Sequence, residues 1–127
     1  MGSSNNKKIL IIEDEKSIAN ILQLKLKEEG FDISVANDGY EALDMMKEGG
    51  YDLYLLDIIM PEIDGFEVLE ELHKRGDKTP VIVSSNLTQE KDKARAKSLG
   101  VHSYVDKSDT GIWQVIDQIK AFLNQKR

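Results

Sequence analysis

The chain has 127 residues, 40% of them hydrophobic and 31% charged, which suits one globular domain with one core. Its formal net charge of -6 argues against a general binder of nucleic acid or membrane surfaces, because such binders need a positive field. The absence of cysteine excludes disulfides and thiolate metal sites. No apolar run approaches the roughly 20 residues of a membrane span, and no secretion signal is recognisable, so we expect a cytoplasmic location by default.

Short apolar runs alternate with segments of helical spacing along the chain. Residues 1–6 are small and polar and are expected to form a disordered lead to a single domain over residues 7–125. The predicted strands lie at about residues 8–12, 31–35, 52–57, 80–85 and 103–106. The helical stripes are Ile18, Ile21, Leu22 and Leu26; Ala42, Leu43 and Met46; Phe66, Leu69 and Leu72; and Ile112, Ile116, Ile119 and Leu123. Glycines follow the predicted helices at Gly30, Gly49, Gly50, Gly76 and Gly100.

Five strands alternating with five helices predict an α/β fold with a parallel sheet and helices on both faces. The strands are short and apolar on both sides, as a sheet covered on both faces requires. We therefore expect a flavodoxin-like, doubly wound (βα)5 domain with strand order 2-1-3-4-5. No further domain is expected after the fifth helix, where the sequence ends.

Chemically useful side chains follow four of the predicted strands. Glu13 and Asp14 follow the first strand, Asp57 the third, Ser85 the fourth and Lys107 the fifth. Ligands of such sheets bind beyond the carboxyl ends of the strands, where the strand order reverses. In the order 2-1-3-4-5 this point lies between strands 1 and 3, so we expect the three carboxylates to converge.

Carboxylates this close cannot all stay ionised unless a cation joins them. Oxygen ligands without nearby histidine or cysteine favour a hard ion, and Mg²⁺ is the preferred candidate. Ser85 and Lys107 leave flanking strands and can reach the same place. A metal, an amine and a hydroxyl around a carboxylate suit the stabilisation of a phosphoryl group in transfer. Asp57 would then be the nucleophile that forms an acyl phosphate.

The sequence resembles a response-regulator receiver domain of two-component signalling, of the stand-alone chemotaxis-regulator type, over about residues 7–125. The matching segments are Glu13 and Asp14; Asp57 with residues 60–65 (Met-Pro-Glu-Ile-Asp-Gly); residues 80–85 (Pro-Val-Ile-Val-Ser-Ser); and residues 104–107 (Tyr-Val-Asp-Lys). The resemblance implies a phosphoacceptor with only self-phosphorylation and self-dephosphorylation chemistry, not an enzyme acting on other substrates.

The same resemblance assigns roles to individual residues. Asp57 would accept phosphate from the phosphohistidine of a histidine kinase or phosphotransfer protein. The metal ligands would be Glu13, Asp14, Asp57 and the backbone carbonyl of Ile59. Ser85 and Lys107 would contact the phosphoryl oxygens. Tyr104 would be an aromatic switch that turns inward when Ser85 moves.

Three features depart from the family pattern. Ser108 stands where the family usually has proline after the lysine, and we expect a trans peptide there, because a cis bond would cost about 3 kcal/mol. Asn86 is larger than the usual small residue and narrows access to the site. Ile59 and Leu87 are apolar and cannot orient water, so we expect slow hydrolysis of phospho-Asp57, which Ile59→Asn should accelerate.

Simpler interpretations remain open for several residues. Glu13 and Asp14, with Glu15, could cap the first helix through the helix dipole. Lys107 could be a solvated lysine, and Tyr104 could simply pack in its strand. Asp64 and Gly65 are most simply a turn before the third helix.

The output surface is predicted at helix 4, strand 5 and helix 5. Helix 4, about Thr88 to Leu99, has few apolar anchors, namely Ala94, Ala96 and Leu99, which suits a loosely held switch element. Its basic residues are interpreted as a solvated face, because acids are interleaved with them. Trp113 lies one position off the last helical stripe, which predicts partial exposure and a contact surface, although packing against the neighbouring loop is the simpler interpretation. We expect this face, with Trp113, to dock a protein effector and not nucleic acid or a membrane.

Two other classes of protein remain as alternatives. An unphosphorylated pseudo-receiver would keep the fold and lose site residues, yet none of the expected ones is missing. A phosphatase like the haloacid dehalogenases would need a second acid two residues after Asp57, where Ile59 stands.

Overall fold

The computed structural model describes residues 6–58, 64–85 and 90–124, with side chains placed for all of these except 106–110 and 124. Strands and helices alternate throughout, as predicted. The elements are β1 (Lys8–Ile12), α1 (Lys16–Glu28), β2 (Asp32–Ala36), α2 (Gly39–Glu48), β3 (Leu53–Leu56), α3 (Gly65–Arg75), β4 (Val81–Ser85), α4 (Glu90–Ser98), β5 (Ser103–Asp106) and α5 (Lys107–Asn124).

The five strands form one parallel sheet in the order β2-β1-β3-β4-β5. This confirms the predicted flavodoxin-like topology. β1 pairs with β2 on one side and β3 on the other, with Ile12 opposite Leu56 at the carboxyl end of the β1–β3 pair. The order in which successive strands are added to the sheet therefore reverses between β1 and β3, where Glu13 and Asp57 leave it.

Alternate residues of the central strands pack into two separate cores. Leu10, Tyr54 and Val83 face a core that includes side chains of α2 and α3. Ile11 and Leu55 face the other core, which is closed by α1 and α5. Strands buried on both sides in this way need apolar residues at every position, which explains the continuous runs in the sequence. At the edge of the sheet, β2 is only half-buried for most of its length.

The predicted helical stripes mostly coincide with the buried faces of the helices. The difference lies on α1, where Ile21 is 48% exposed because it sits at the outer edge of the stripe. On α4, Ala96 is buried and Ala94 is exposed, while Leu99 is half-buried and directly follows the helix, so the predicted set of three anchors is too large.

Polar caps and glycines set the ends of the helices. Asp64 begins α3 with a capping box, since its carboxylate accepts the Glu67 N–H and the Glu67 side chain accepts the Asp64 N–H. Gly76 ends the same helix in the left-handed conformation, at φ 69°. Within α5, Gly111 has non-helical angles (φ 71°, ψ -171°), so the regular helix begins at Ile112.

The described ranges, which include the backbone of Ser108, contain no cis peptide bond, in agreement with the trans bond predicted there. Among the described residues, no helix combines the length and the apolar character needed to cross a membrane.

Candidate functional site

Glu13 and Asp57 leave the sheet side by side. The Glu13 N–H donates to the Ala36 carbonyl, and the Asp57 N–H donates to the Ile12 carbonyl, both at 3.1 Å. These bonds continue the strand ladders by one residue beyond β1 and β3. The backbone at both positions is therefore fixed by the sheet, and the two carboxylates leave at the same edge.

Carboxylate oxygens of Glu13, Asp14 and Asp57 lie within 4.8 Å of one another. Glu13 is 3% exposed and Asp57 6%, while Asp14 is half-buried. Negative charges at this distance near a protein surface repel one another, and solvent at the half-buried Asp14 screens part of the repulsion. Three hard oxygen donors with little solvent around them fit a divalent cation such as Mg²⁺, which would offset this repulsion.

Glu13 also has a local partner at the start of α1. Its Oε2 accepts the Glu15 N–H at 3.2 Å. Glu15 occupies the N-cap position, but its side chain makes no capping hydrogen bond. The acidic run thus contacts the start of α1 through Glu13, whose carboxylate also belongs to the acidic cluster.

Ser85 is fully buried at the end of β4, and its hydroxyl donates to Oδ1 of Asp57 at 2.9 Å. The structure thus brings Ser85 to the predicted phosphoacceptor, although its contact with a phosphoryl group stays a prediction. The preceding residue, Ser84, points to the other side of the sheet, where it lines a hollow between α1 and α5.

Tyr104 contacts the same serine from β5. Its hydroxyl donates to the Ser85 carbonyl at 3.1 Å, and its half-buried ring packs against the core formed with α2 and α3. Ser85 therefore links Asp57 and Tyr104, because its hydroxyl donates to Asp57 and its carbonyl oxygen accepts from Tyr104. Both strand packing and a switching role agree with these contacts.

Several predicted site positions lie outside the described residues. These are Ile59, with its proposed metal-binding carbonyl, and Asn86 and Leu87. Lys107 is the first residue of α5 and directly follows β5, but its side chain is not among those described. The roles of these residues therefore stay predictions.

Gly65 is a site-shaping residue whose role the sequence did not reveal. Its N–H donates to the Ile58 carbonyl at 2.8 Å, and a Cβ built on it would lie 2.6 Å from Cα of Ile58 and 2.9 Å from the carbonyl oxygen of Asp57. Only glycine lets α3 approach the backbone of Asp57 and Ile58 so closely. The turn predicted at Asp64 and Gly65 is thus the start of α3, and the spacing of Asp64 and Glu67 could have shown it.

The sheet order and the acidic cluster at its reversal point define a flavodoxin-like domain with a candidate site for a divalent cation. A family model of the response regulator receiver domain matches residues 9–116, and the chain belongs to that family. It is 41% identical over 117 residues to an uncharacterized transcriptional regulatory protein, YkoG, of Bacillus subtilis. The match covers 92% of this chain and 51% of that relative, so the chain spans about half the relative's length.

Solved structures give the same result. The receiver domain of the Francisella response regulator 1452 is 33% identical, with a TM-score of 0.87, and the alignment covers 96% of this chain and 100% of that one. The response regulator TrrA of Thermotoga maritima, solved in complex with Mg²⁺ and BeF, is 32% identical, with a TM-score of 0.78 and coverage of 92% and 98%. The chain is thus the receiver domain of a two-component response regulator.

Proposed function

We propose that this receiver accepts a phosphoryl group on Asp57 from the phosphohistidine of a histidine kinase or phosphotransfer protein. The observation that carries the proposal is the convergence of Glu13, Asp14 and Asp57 within 4.8 Å, with the Ser85 hydroxyl on the central carboxylate. We take the receiver unit to extend over residues 7–125, because β1 begins at Lys8 and α5 ends at Asn124.

The chain's own residues position the nucleophile. The Asp57 N–H donates to the Ile12 carbonyl of β1, and one oxygen of its carboxylate accepts from the Ser85 hydroxyl. The side chain is therefore oriented before a phosphoryl donor arrives. An Asp57 oxygen attacks phosphorus while the bond from phosphorus to the histidine nitrogen breaks, and the histidine keeps the electron pair. In the product, the Ser85 hydroxyl and the Lys107 amine donate to phosphoryl oxygens.

Glu13, Asp14 and Asp57 would hold Mg²⁺, together with the carbonyl of Ile59. When bound, Mg²⁺ offsets the charge of the carboxylates and of the incoming phosphoryl group. The Mg²⁺ complex of the similar Thermotoga receiver supports this choice of ion.

We propose that the signal leaves through the face formed by α4, β5 and α5 and reaches a protein effector. If the Ser85 backbone moves with its hydroxyl toward a phosphoryl group, the Tyr104 hydroxyl follows, since it donates to the Ser85 carbonyl oxygen at 3.1 Å. The described part of α4 buries only Ala96, so little packing opposes its displacement. The net charge of -6 favours a protein recipient over direct contact with nucleic acid. A difference of a few kcal/mol in interaction free energy between the two conformations is enough for a switch of this kind.

Intact-mass measurement after incubation with acetyl phosphate and Mg²⁺ tests the phosphoacceptor. We expect one hydroxylamine-labile phosphoryl group on the wild type and none on Asp57→Asn. Glu13→Gln is the matched variant, because it keeps Asp57 and removes one charge of the cluster. It should be phosphorylated more slowly and should need more Mg²⁺.

The alternatives give different results in the same experiment. A pseudo-receiver would gain no mass under any condition. A phosphatase of the haloacid dehalogenase type would turn over external phosphoesters instead of retaining the group. Either outcome would overturn the proposal, as would equal labelling of Asp57→Asn.

A further inference from the structure

A hollow between α1 and α5 lies apart from the acidic cluster. It has a volume of about 290 Å³, and its walls are mostly apolar side chains of the two helices: Ile18, Ile21, Leu22, Ile112 and Val115. The rest of its described lining consists of Gly111 and two serines, Ser17 and Ser84. Glu13, Asp14 and Asp57 are not among the lining residues, so the proposed function does not account for this hollow.

Ser84 brings a hydroxyl to the sheet side of this hollow. It lies on β4 and is only 5% exposed. Within the part of the chain that the structure describes, this hydroxyl has no hydrogen-bond partner, and no unpaired side-chain oxygen there is completely enclosed. The Ser84 oxygen therefore opens into the hollow that the residue lines. Because a largely buried hydroxyl without a partner destabilises the fold, its position indicates that a ligand atom pairs with it.

Water alone is poorly held in this space. A buried water usually makes about three hydrogen bonds, whereas the side chains of the described lining offer two hydroxyls, those of Ser17 and Ser84. Most of the wall is apolar, and poorly ordered water against such a wall is readily displaced by an apolar molecule. An engineered apolar cavity of about 150 Å³ holds benzene, so a hollow about twice as large has room for a substituted aromatic ring.

We propose that the hollow binds a small neutral phenol or alcohol with an apolar body. The body contacts Ile18, Ile112 and Val115, and the ligand hydroxyl pairs with Ser84, whose oxygen can both donate and accept. The ligand is neutral because none of the described lining residues is ionisable, and an unpaired charge is costly in such surroundings. Binding does not depend on phosphorylation of Asp57, so its test is independent of the proposed function.

Methyl NMR of the full chain with a matched set of small probes tests this site. We expect 4-methylphenol to shift the methyl signals of Ile18, Ile112 and Val115 with a dissociation constant on the order of 1 mM, and to leave Val83 in the other core unchanged. Toluene, which lacks the hydroxyl, should bind about fivefold more weakly, and the charged 4-methylbenzoate should not bind at the same concentrations. Unchanged signals at about 10 mM 4-methylphenol, or equal binding of 4-methylbenzoate, would overturn the proposal.

Ser84→Ala tests the polar contact. It removes the hydroxyl and keeps an apolar wall, so 4-methylphenol should bind about fivefold more weakly than to the wild type, while toluene binds at least as well. Ser17→Ala is the control, because it removes the exposed hydroxyl of the lining and should change the affinity for neither probe. Circular dichroism checks that both variants remain folded. A preference for 4-methylphenol over toluene that survives in Ser84→Ala would contradict the proposed pairing.

Two further variants separate the hollow from an exposed ring beside it. Trp113 follows Ile112, is 60% exposed and is turned toward α1, with Nζ of Lys25 5.4 Å from its ring centroid, so an aromatic probe could stack on it instead. Ile21→Phe enlarges a lining side chain and should weaken binding of 4-methylphenol about tenfold, whereas Trp113→Ala should leave it unchanged. The reverse result would place the probe on the tryptophan and overturn the proposal. Methyl signals of the hollow that change on dilution of the wild type without any probe would assign the hollow to a second copy of the chain, with the same consequence.

Discussion

At the scale of single residues, the acidic cluster carries a cost in stability that should be measurable. Asp57 lies within 4.8 Å of two other carboxylates in a largely buried place. Without divalent ions, Asp57→Asn removes this repulsion and keeps an oxygen that can accept from Ser85. We therefore expect the free energy of unfolding in urea with EDTA to rise by about 1 kcal/mol. Asp44→Asn, an exposed acid on α2, should change little, and a destabilised Asp57→Asn would contradict the argument.

Gly65 should be far less replaceable than other glycines. An added Cβ would lie 2.6 Å from backbone of Ile58, so Gly65→Ala must displace α3 or the segment that carries Asp57. We expect a loss of about 2–4 kcal/mol and slower phosphorylation. The control is Gly76→Ala, where φ is 69° but the space is open, with a loss of about 1 kcal/mol. Equal losses in urea unfolding would show that the close approach is unimportant.

Asp77 should contribute stability that depends on pH. Burial opposes its ionisation, but hydrogen bonds from the Thr79 N–H (2.9 Å) and the Tyr54 hydroxyl (2.7 Å) outweigh this and lower the pKa of Asp77 below its ordinary value. A lowered folded-state pKa gives stability that is present above the unfolded pKa of about 3.9 and is lost as pH falls through the folded pKa.

The difference in unfolding free energy between wild type and Asp77→Asn isolates this effect, because the other carboxylates titrate in both proteins. It should be constant between about pH 5 and 7 and should shrink below about pH 4. Urea unfolding at pH 7, 5 and 3 measures it. A difference that grows as the solution is acidified would mean that the Asp77 pKa is not lowered.

At the scale of elements, one arginine joins α4 to α3. Arg95 donates to Glu70 on α3 at 2.7 Å, and its guanidinium lies 4.3 Å from the ring centroid of Phe66. Ala96 is the buried residue within this helix. We expect Arg95→Ala to accelerate amide hydrogen exchange in α4 about tenfold without affecting α1. Lys97→Ala, an exposed residue of the same helix, is the control, and unchanged protection in Arg95→Ala would show that this contact does not hold α4.

The elements themselves could be predicted because their signals are local. Continuous apolar runs mark the buried strands, apolar residues at helical spacing mark the helix faces, and glycines with positive φ follow the helices. The contacts of Arg95 and of Tyr54 with Asp77 could not be predicted, because they join residues 23 to 29 positions apart on different elements. Trp113 shows the same limit: its exposure was predicted, but the helix toward which it turns was not.

At the scale of the whole molecule, the topology explains why the convergence of Glu13, Asp57 and Ser85 could be predicted from so few residues. Once β1 and β3 are neighbours, Glu13 and Asp57 must leave the sheet together, and Ser85 follows from the next strand. This placement needs only the strand order and not the side-chain conformations. Details that depend on packing, such as the close approach of Gly65 to Ile58, need the three-dimensional structure.

The same topology would couple a bound divalent ion to global stability, because the proposed ligands come from the ends of two different strands. A ligand that binds only the folded state raises the free energy of unfolding, by about 1.4 kcal/mol at ten times its dissociation constant. We expect Mg²⁺ to stabilise the wild type in this way, while NaCl of equal ionic strength has a smaller effect. Glu13→Gln keeps the sheet and removes one charged ligand, so its gain should be clearly smaller. Urea titrations with and without Mg²⁺ measure both gains. Equal gains in the two proteins would mean that the ion binds elsewhere, and the acidic cluster would then lose its proposed role.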